Sequence, residues 1–443
     1  MKAFFLLICL TLTSAWGGED YKYRIWVKDA SNLKQLSDKN SWVQKFYDDV
    51  LYQGLMIRLA PFLFAVGQDN KSAWKGRLID FIFENILANH SLSVSYYASA
   101  GSASPVGITI YGLSETENAL IKVFSDFFGE KNADQKISMI NFRNNKIGFA
   151  IHHNCLSLAR NPLVVEKLAA EDCSKFQFES DAVLRIKTEK MFSSFYPLLK
   201  NFVGVNGDID LNFKWNNSKS NFVADEAKIK LLEKNIFRKE KLPINLFNAI
   251  PTEAGLWGLI NLADMRPLDK ESLKNYFLTQ GKGKDNTGVP VVYMFLGMEK
   301  NISKTVLLIP YQSFNQEAQN KLVELFNETG TYEVKFKHVC KDILALSPSL
   351  EALAQVEGSC AKKNPRFVQW SDKYEDAMSE ALSGAAFVHM GILTSQSLKL
   401  GSPPEIQSTD EYKKSLSLLT ELPHFLWTGI KDGKDLMMKG IDQ

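Results

Sequence analysis

Lys146 to Arg160 reads KIGFAIHHNCLSLAR, and Val334 to Leu346 reads VKFKHVCKDILAL. Each is a pair of short apolar runs around a polar turn, with Asn154 or Asp342 in or near the turn, the pattern of a tight hairpin. The first leads into Asn161-Pro162 and the second into Ser347-Pro348, a capping residue followed by proline at the first helical position, then a short helix and a cysteine. One supersecondary unit is therefore expected twice in the chain.

Working outward, Ser93 to Tyr97 (SVSYY) and Gly107 to Tyr111 (GITIY) read as antiparallel strands around a Gly- and Ser-containing loop, and Val291 to Phe295 with Thr305 to Ile309 read the same way. Each pair precedes a capping signature, Ser114-Glu115-Thr116-Glu117 or Ser313-Phe314-Asn315-Gln316. Apolar residues at helical spacing follow: Ala119, Leu120, Val123, Phe124 and Phe127 in one copy, Ala318, Leu322, Val323, Leu325 and Phe326 in the other. Further upstream, Ile25 to Leu36 and Trp257 to Leu268 share the form of a strand entering a polar turn and a helix start.

Downstream, the first copy continues with Ala182 to Met191 as a strand, Phe192 to Phe202 as a helix and Asp208 to Trp215 as a strand. In the last of these, Ile209, Leu211, Phe213 and Trp215 alternate with polar residues, as in a sheet with one wet face. The second copy offers Ala385 to Leu393 as a strand, Glu411 to Trp427 as a helix and an amphipathic tail with Met437 and Met438. Lys228 to Lys241 is charged, helix-permissive and closed by Pro243, which puts the boundary within Leu242 to Ala249. The expected architecture is α+β: two pseudo-repeated halves, 18–245 and 246–443, each an antiparallel sheet with helices packed on one face. Gly281 to Gly288 and Gly401 to Asp410 read as connecting loops.

Composition narrows the function classes. The 443 residues are 45% hydrophobic and 12% aromatic, which excludes a disordered chain, and 52 Lys and Arg against 50 Asp and Glu leave no basic stripe for nucleic acid. Residues 1–17 carry Lys2, an apolar run from Ala3 to Leu12 and the small residues Ala15 and Gly17, the pattern of an export signal cut after Gly17. Leu6, Leu7 and Ile8 precede Cys9, where a lipid-attachment site needs small residues. The most apolar later stretch, Leu55 to Val66, contains Arg58 and Pro61 and is short of the ~20 residues of a spanning helix, so no membrane span is expected.

The leader, the strand feeding a long helix, and the hairpins ending in Leu156-Ser157-Leu158-Ala159-Arg160-Asn161-Pro162 and Ile343-Leu344-Ala345-Leu346-Ser347-Pro348 resemble uncharacterised bacterial exported proteins of unknown function. The resemblance implies a periplasmic, duplicated α+β protein and carries over no catalytic residues. The sequons at Asn70, Asn89, Asn216, Asn301 and Asn327 keep a secreted glycoprotein as a further reading.

Candidate chemistry is sparse. His152 with Cys155 and His338 with Cys340 would form a Cys2His2 metal site if the two hairpins met; the favoured reading is that these cysteines are oxidised. Asp208 and Asp210 imitate a calcium loop, but Phe213 stands where Gly is required and Lys219 where Glu is. The Ser-x-x-Lys matches at Ser31/Lys34, Ser72/Lys75 and Ser359/Lys362 lack companion motifs, and Gly281-Lys282-Gly283-Lys284 lacks Walker spacing. The apolar helical stretches at Trp42 to Gly67 and Leu418 to Met438 read as covers for a sheet rather than ligand grooves. No catalytic, cofactor or metal residues are assigned.

Four cysteines in the mature chain allow three pairings. The repeated order of hairpin, helix and cysteine selects Cys155 with Cys173 and Cys340 with Cys360. The functional expectation is a non-catalytic exported protein binding another envelope protein or an apolar ligand, with no cofactor. The alternative is a periplasmic hydrolase assembled from residues remote in sequence.

Overall fold

A computed structural model of the chain describes residues 21–32, 89–97, 106–131, 138–142, 145–159, 161–171, 173, 179–192, 196, 200, 205–219, 221–231, 240–241, 244–262, 289–299, 302–310, 320, 324, 327, 333–361, 381–401, 407–419, 424–432 and 435–441. The leader, the stretch from Trp42 to Gly67, the Ser313 capping signature and the loop from Gly281 to Gly288 lie outside the described residues. Packing divides the chain into two compact units. The first holds Met1–Arg185, Asn212–Phe222 and Ser397–Leu422; the second holds Ile186–Leu211, Val223–Gln396 and Pro423–Gln443.

In the first unit the strands are β1 (Tyr21–Val27), β2 (Ser91–Tyr97), β3 (Val106–Tyr111), β4 (Gly129–Lys131), β5 (Ser138–Phe142), β6 (Asn145–His152), β7 (Cys155–Ala159) and β8 (Ala182–Ile186). Their pairing order is β8-β1-β2-β3-β7-β6-β5-β4. Helix α1 (Glu115–Phe128) follows β3, and α2 (Pro162–Ala169) follows β7. The Ser114 capping box forms: Ser114 Oγ accepts from the Glu117 N–H at 3.2 Å and Glu117 Oε2 accepts from the Ser114 N–H at 2.8 Å. Among the described side chains of α1, Leu120 and Val123 are 44% and 53% exposed while Ile121 is buried.

The long hairpin of β9 (Val205–Asn216) and β10 (Asn221–Leu231) has its tip in the first unit and its base in the second. The second unit continues with β11 (Glu240–Lys241), β12 (Leu256–Leu262), β13 (Val289–Glu299), β14 (Ile302–Pro310), β15 (Lys335–Val339), β16 (Ile343–Ser347), helix α3 (Leu350–Cys360), β17 (Ala381–Leu382), β18 (Gly384–His389), β19 (His424–Asp432) and β20 (Asp435–Gly440). Its pairing order is β10-β20-β19-β18-β12-β13-β14-β16-β15, and β11 pairs separately with β17.

The expectation of an α+β fold with two repeated halves is overturned. Eighteen of the twenty described strands belong to one large antiparallel sheet system, and helices are few beside them. Two five-strand runs, β1-β2-β3-β7-β6 and β12-β13-β14-β16-β15, share a pairing order. They are not separate sheets, one per half: β10 from the first stretch pairs with β20 at the end of the chain, Ala227 opposite Met438 and Ile229 opposite Leu436.

The physical cause lies in three segments. β10 alternates buried Ala227 and Ile229 with exposed Lys228 and Lys230, a strand with one wet face whose charges also suit a helix. In β19, His424, Phe425, Leu426 and Trp427 are all buried, so the period of two vanishes and a short apolar run fits either element. The Met437 and Met438 tail is strand β20. A further correction concerns the second helix start. Ser349 caps α3, accepting from the Ala352 N–H at 3.2 Å, while Ser347 ends β16 and donates to the Thr305 carbonyl at 2.8 Å.

Candidate functional site

The first unit carries an unusual polar layer. Register puts Arg24, Ser95, Gly107, Ala159 and Gly148 in one row across the sheet, and Trp26, Ser93, Thr109, Ser157 and Ala150 in the next. Tyr111, Cys155 and His152 form a third. All three rows lie on one face, since residues opposite each other on paired strands point the same way. Arg24, Ser93, Ser95, Thr109 and Ser157 are each at most 2% exposed.

A buried polar group is tolerated when it is bonded, and here the bonds are made. Arg24 donates through Nη1 and Nη2 to the two carboxylate oxygens of Glu171 at 2.8 and 2.6 Å, and through Nε to Ser95 Oγ at 2.5 Å. The guanidinium also lies 4.3 Å from the centre of the Tyr21 ring. Burial by itself would lower the Arg24 pKa; the Glu171 carboxylate outweighs it and holds the group charged. Burial, reinforced by the negative charge of Glu171, keeps the Tyr97 hydroxyl protonated far above the ordinary phenol range. Ser93 and Tyr111 share a hydroxyl hydrogen bond at 2.7 Å, and Thr109 and Ser157 are 3.4 Å apart.

Helix α2 closes part of this face. Asn161 Oδ1 accepts from the Leu163 N–H at 3.0 Å with Pro162 opening the helix, as the sequence predicts. Val164, Val165 and Leu168 pack on Tyr97, Ala150 and Ala159. The helix comes so close to β3 that a Cβ on Gly107 would meet Leu168 Cδ1 at 2.5 Å and Val164 Cγ1 at 2.8 Å. Glu171 lies just past the helix end, its N–H donating to the Leu168 carbonyl at 3.1 Å.

Two residues further, Cys173 is at disulfide-bonding distance from Cys155 on β7, with Cα atoms 6.5 Å apart. In the second unit Cys340 and Cys360 are likewise at bonding distance, with Cα atoms 5.0 Å apart. The local pairs expected from the sequence are thus the pairs brought together.

His152 Nε2 is 2.9 Å from Ser157 Oγ, and its Nδ1 faces Cys173 Sγ at 3.5 Å. Burial, then the neighbouring His153, lowers the His152 pKa, so the ring is neutral at pH 7. This serine–histidine contact lacks the makings of a hydrolase: Ser157 is fully buried, and the second ring nitrogen meets sulfur where an orienting carboxylate is needed. Among the described residues no group of three or more His, Cys, Asp and Glu side chains could hold a metal ion.

The other singled-out residues have structural partners. His90 Nε2 is 2.8 Å from Glu117, and buried His389 and His424 stack with ring centres 5.6 Å apart across β18 and β19. Asp208 pairs with Lys187 at 3.0 Å, and Ser359 donates to the Gln355 carbonyl inside α3. The sequence reading missed Arg24, Lys22 and Glu171. A signal existed: Tyr21-Lys22-Tyr23-Arg24-Ile25-Trp26 alternates its charges, and Ser91, Ser93 and Ser95 recur at the strand period. No protein-family model, no curated protein and no solved structure matches this chain.

Proposed function

We propose that the chain is an exported protein that binds a ligand or an envelope partner without catalysing a reaction. Two cysteine pairs at bonding distance support the first part, because disulfides persist in oxidising compartments. The pattern of residues 1–17 adds a leader cut after Gly17. No helix among the described residues is long and apolar enough to cross a membrane. The observation that bears on the second part is the Ser157–His152 contact, whose serine is fully buried although the histidine ring is partly exposed.

Two measurements test this reading. Terminal sequencing of material recovered from the exported fraction should begin near Gly18; a chain retaining Met1 rejects export. Treatment of the purified chain with a fluorophosphonate should leave every serine unlabelled. Labelling that is lost in Ser157→Ala would replace the binding reading with the hydrolase one.

A further inference from the structure

Glu171 fills a position that has every feature of a carboxylate receptor. The guanidinium of Arg24 is 2% exposed and presents its two terminal nitrogens as a fork, the geometry that recognises a planar carboxylate. Ser95 fixes the guanidinium from behind through Nε, and the Tyr21 ring lies against it. The Glu171 side chain is 25% exposed, against 2% for Arg24.

Two contrasts suggest that this arrangement does more than hold the fold together. The second unit clips a helix to a hairpin with a disulfide in the same way over a mostly apolar layer, where the helix's ion pair, Lys304 with Glu351 at 2.6 Å, leaves its carboxylate 49% exposed. Such a module therefore folds without a fully buried guanidinium–carboxylate fork, and buried ion pairs are weak contributors to net stability. The second contrast is in the tether. Glu171 belongs to the short segment between the end of α2 and Cys173, and the bond to Cys155 holds that segment against β7.

We propose that Arg24, Ser95 and Tyr21 form a binding site for a ligand carboxylate, which Glu171 occupies in the oxidised chain and vacates when the Cys155–Cys173 disulfide is reduced. This rests on the binding reading above and names its ligand class. Release requires a dithiol. Its two sulfurs exchange with the cystine, it closes to its own cyclic disulfide, and two electrons and two protons pass to Cys155 and Cys173 as thiols. The segment carrying Glu171 then loses its second anchor, the local concentration of its carboxylate at Arg24 falls, and an external carboxylate competes.

The test uses the full chain with Cys340→Ser and Cys360→Ser, so that one disulfide responds, and acetate as the probe against matched chloride. Binding is read by NMR of labelled acetate and by the thermal midpoint. Reduction with dithiothreitol should tighten acetate binding roughly tenfold or more, and Arg24→Lys should abolish the gain. Equal binding in the oxidised and reduced chains overturns the latch.

Glu171→Ala isolates the receptor. Acetate should raise its midpoint saturably even with the disulfide intact; a folded Glu171→Ala chain indifferent to acetate overturns the site. If that variant does not fold, Glu171→Gln replaces it with the same readout. A short peptide with a free C-terminus compared with its amide separates the two sources of the carboxylate. Selective binding of the acid form indicates a peptide terminus, and equal failure of both beside a positive acetate result indicates a small organic acid. Fluorophosphonate labelling is independent of all these arms, so the failure of the receptor and the failure of the non-catalytic reading remain distinguishable.

Discussion

The hairpin β6-β7 with α2 and the hairpin β15-β16 with α3 solve one structural problem with a different balance of polar and apolar contacts. Both lay a capped helix over strands and tie its end to the hairpin through a cysteine pair of similar separation, 18 and 20 residues. Beneath α3 the layer is mostly apolar, with Trp257, Leu259, Val292, Met294, Val306, Leu308 and Ala345 joined to Ala352, Leu353 and Val356 of the helix, Ser347 buried beside them and Lys304 paired with Glu351 of the helix. The face that α2 partly covers presents Arg24, Ser93, Ser95, Thr109 and Ser157 with the small residues Gly107, Ala150 and Ala159. Buried apolar area supplies most of the docking of α3. The polar layer adds bonds that must all be satisfied together, and so a unique geometry at the cost of vulnerability.

That vulnerability gives the largest expected effect. Glu171→Ala leaves a buried guanidinium without its counter-charge and should cost about 3–5 kcal/mol in urea unfolding. Arg24→Met combined with Glu171→Leu should recover most of that loss, since an apolar pair of similar volume suits the site. A single-variant cost below about 1 kcal/mol would place the pair with surface ion pairs and erase the contrast between the units.

Next come the disulfides. Replacing Cys340 and Cys360 by serine should cost about 3 kcal/mol through the longer reach of the unfolded chain. The Cys155 and Cys173 double variant should cost more, because it also loosens Glu171. Equal costs would show that the polar layer does not depend on its tether.

Lys22 sharpens the comparison through pH. Burial lowers its amine from the ordinary 10.5 to about 8. Below pH 8 the amine is charged in both states, and the buried charge weakens the fold by a constant amount. Between pH 8 and 10.5 the unfolded chain alone keeps the proton, so stability rises with pH across that window. Lys22→Met should therefore stabilise by up to about 3 kcal/mol at pH 7, with its advantage fading by pH 10.5. An advantage that does not change with pH would assign the effect to packing.

The smallest effect separates the turns. His153 and Asn154 adopt φ of 44° and 62°, and Cys340 and Lys341 adopt 50° and 65°. Asparagine tolerates the left-handed region better than lysine does. Lys341→Gly should stabilise by about 0.5–1 kcal/mol, whereas Asn154→Gly should change little. Matching differences in thermal midpoint at the two sites would count against strain at Lys341.

How much was legible in the sequence depended on how local the signal is. The two hairpins, the capping box at Ser114, the Asn161-Pro162 helix start and the alternation of β9 depend on residues within a few positions of one another, and the structure forms them. The cysteine pairs followed from the same local order. Strands β10, β19 and β20 were misread because what makes each a strand is a partner far along the chain, 226–230 against 435–439 in one case.

The polar layer depended on tertiary structure in the same way. Arg24 lies 147 positions from Glu171 and 71 from Ser95, and a lone arginine in a strand carries no mark of burial until its partners are assembled around it. Local sequence alone determined turns, caps and covalent clips, since their energies are set by neighbouring backbone and side chains. Only the tertiary structure decided which strands close the sheet and which charges it encloses, because hydrogen-bonded pairing and desolvation act between segments that sequence order keeps apart.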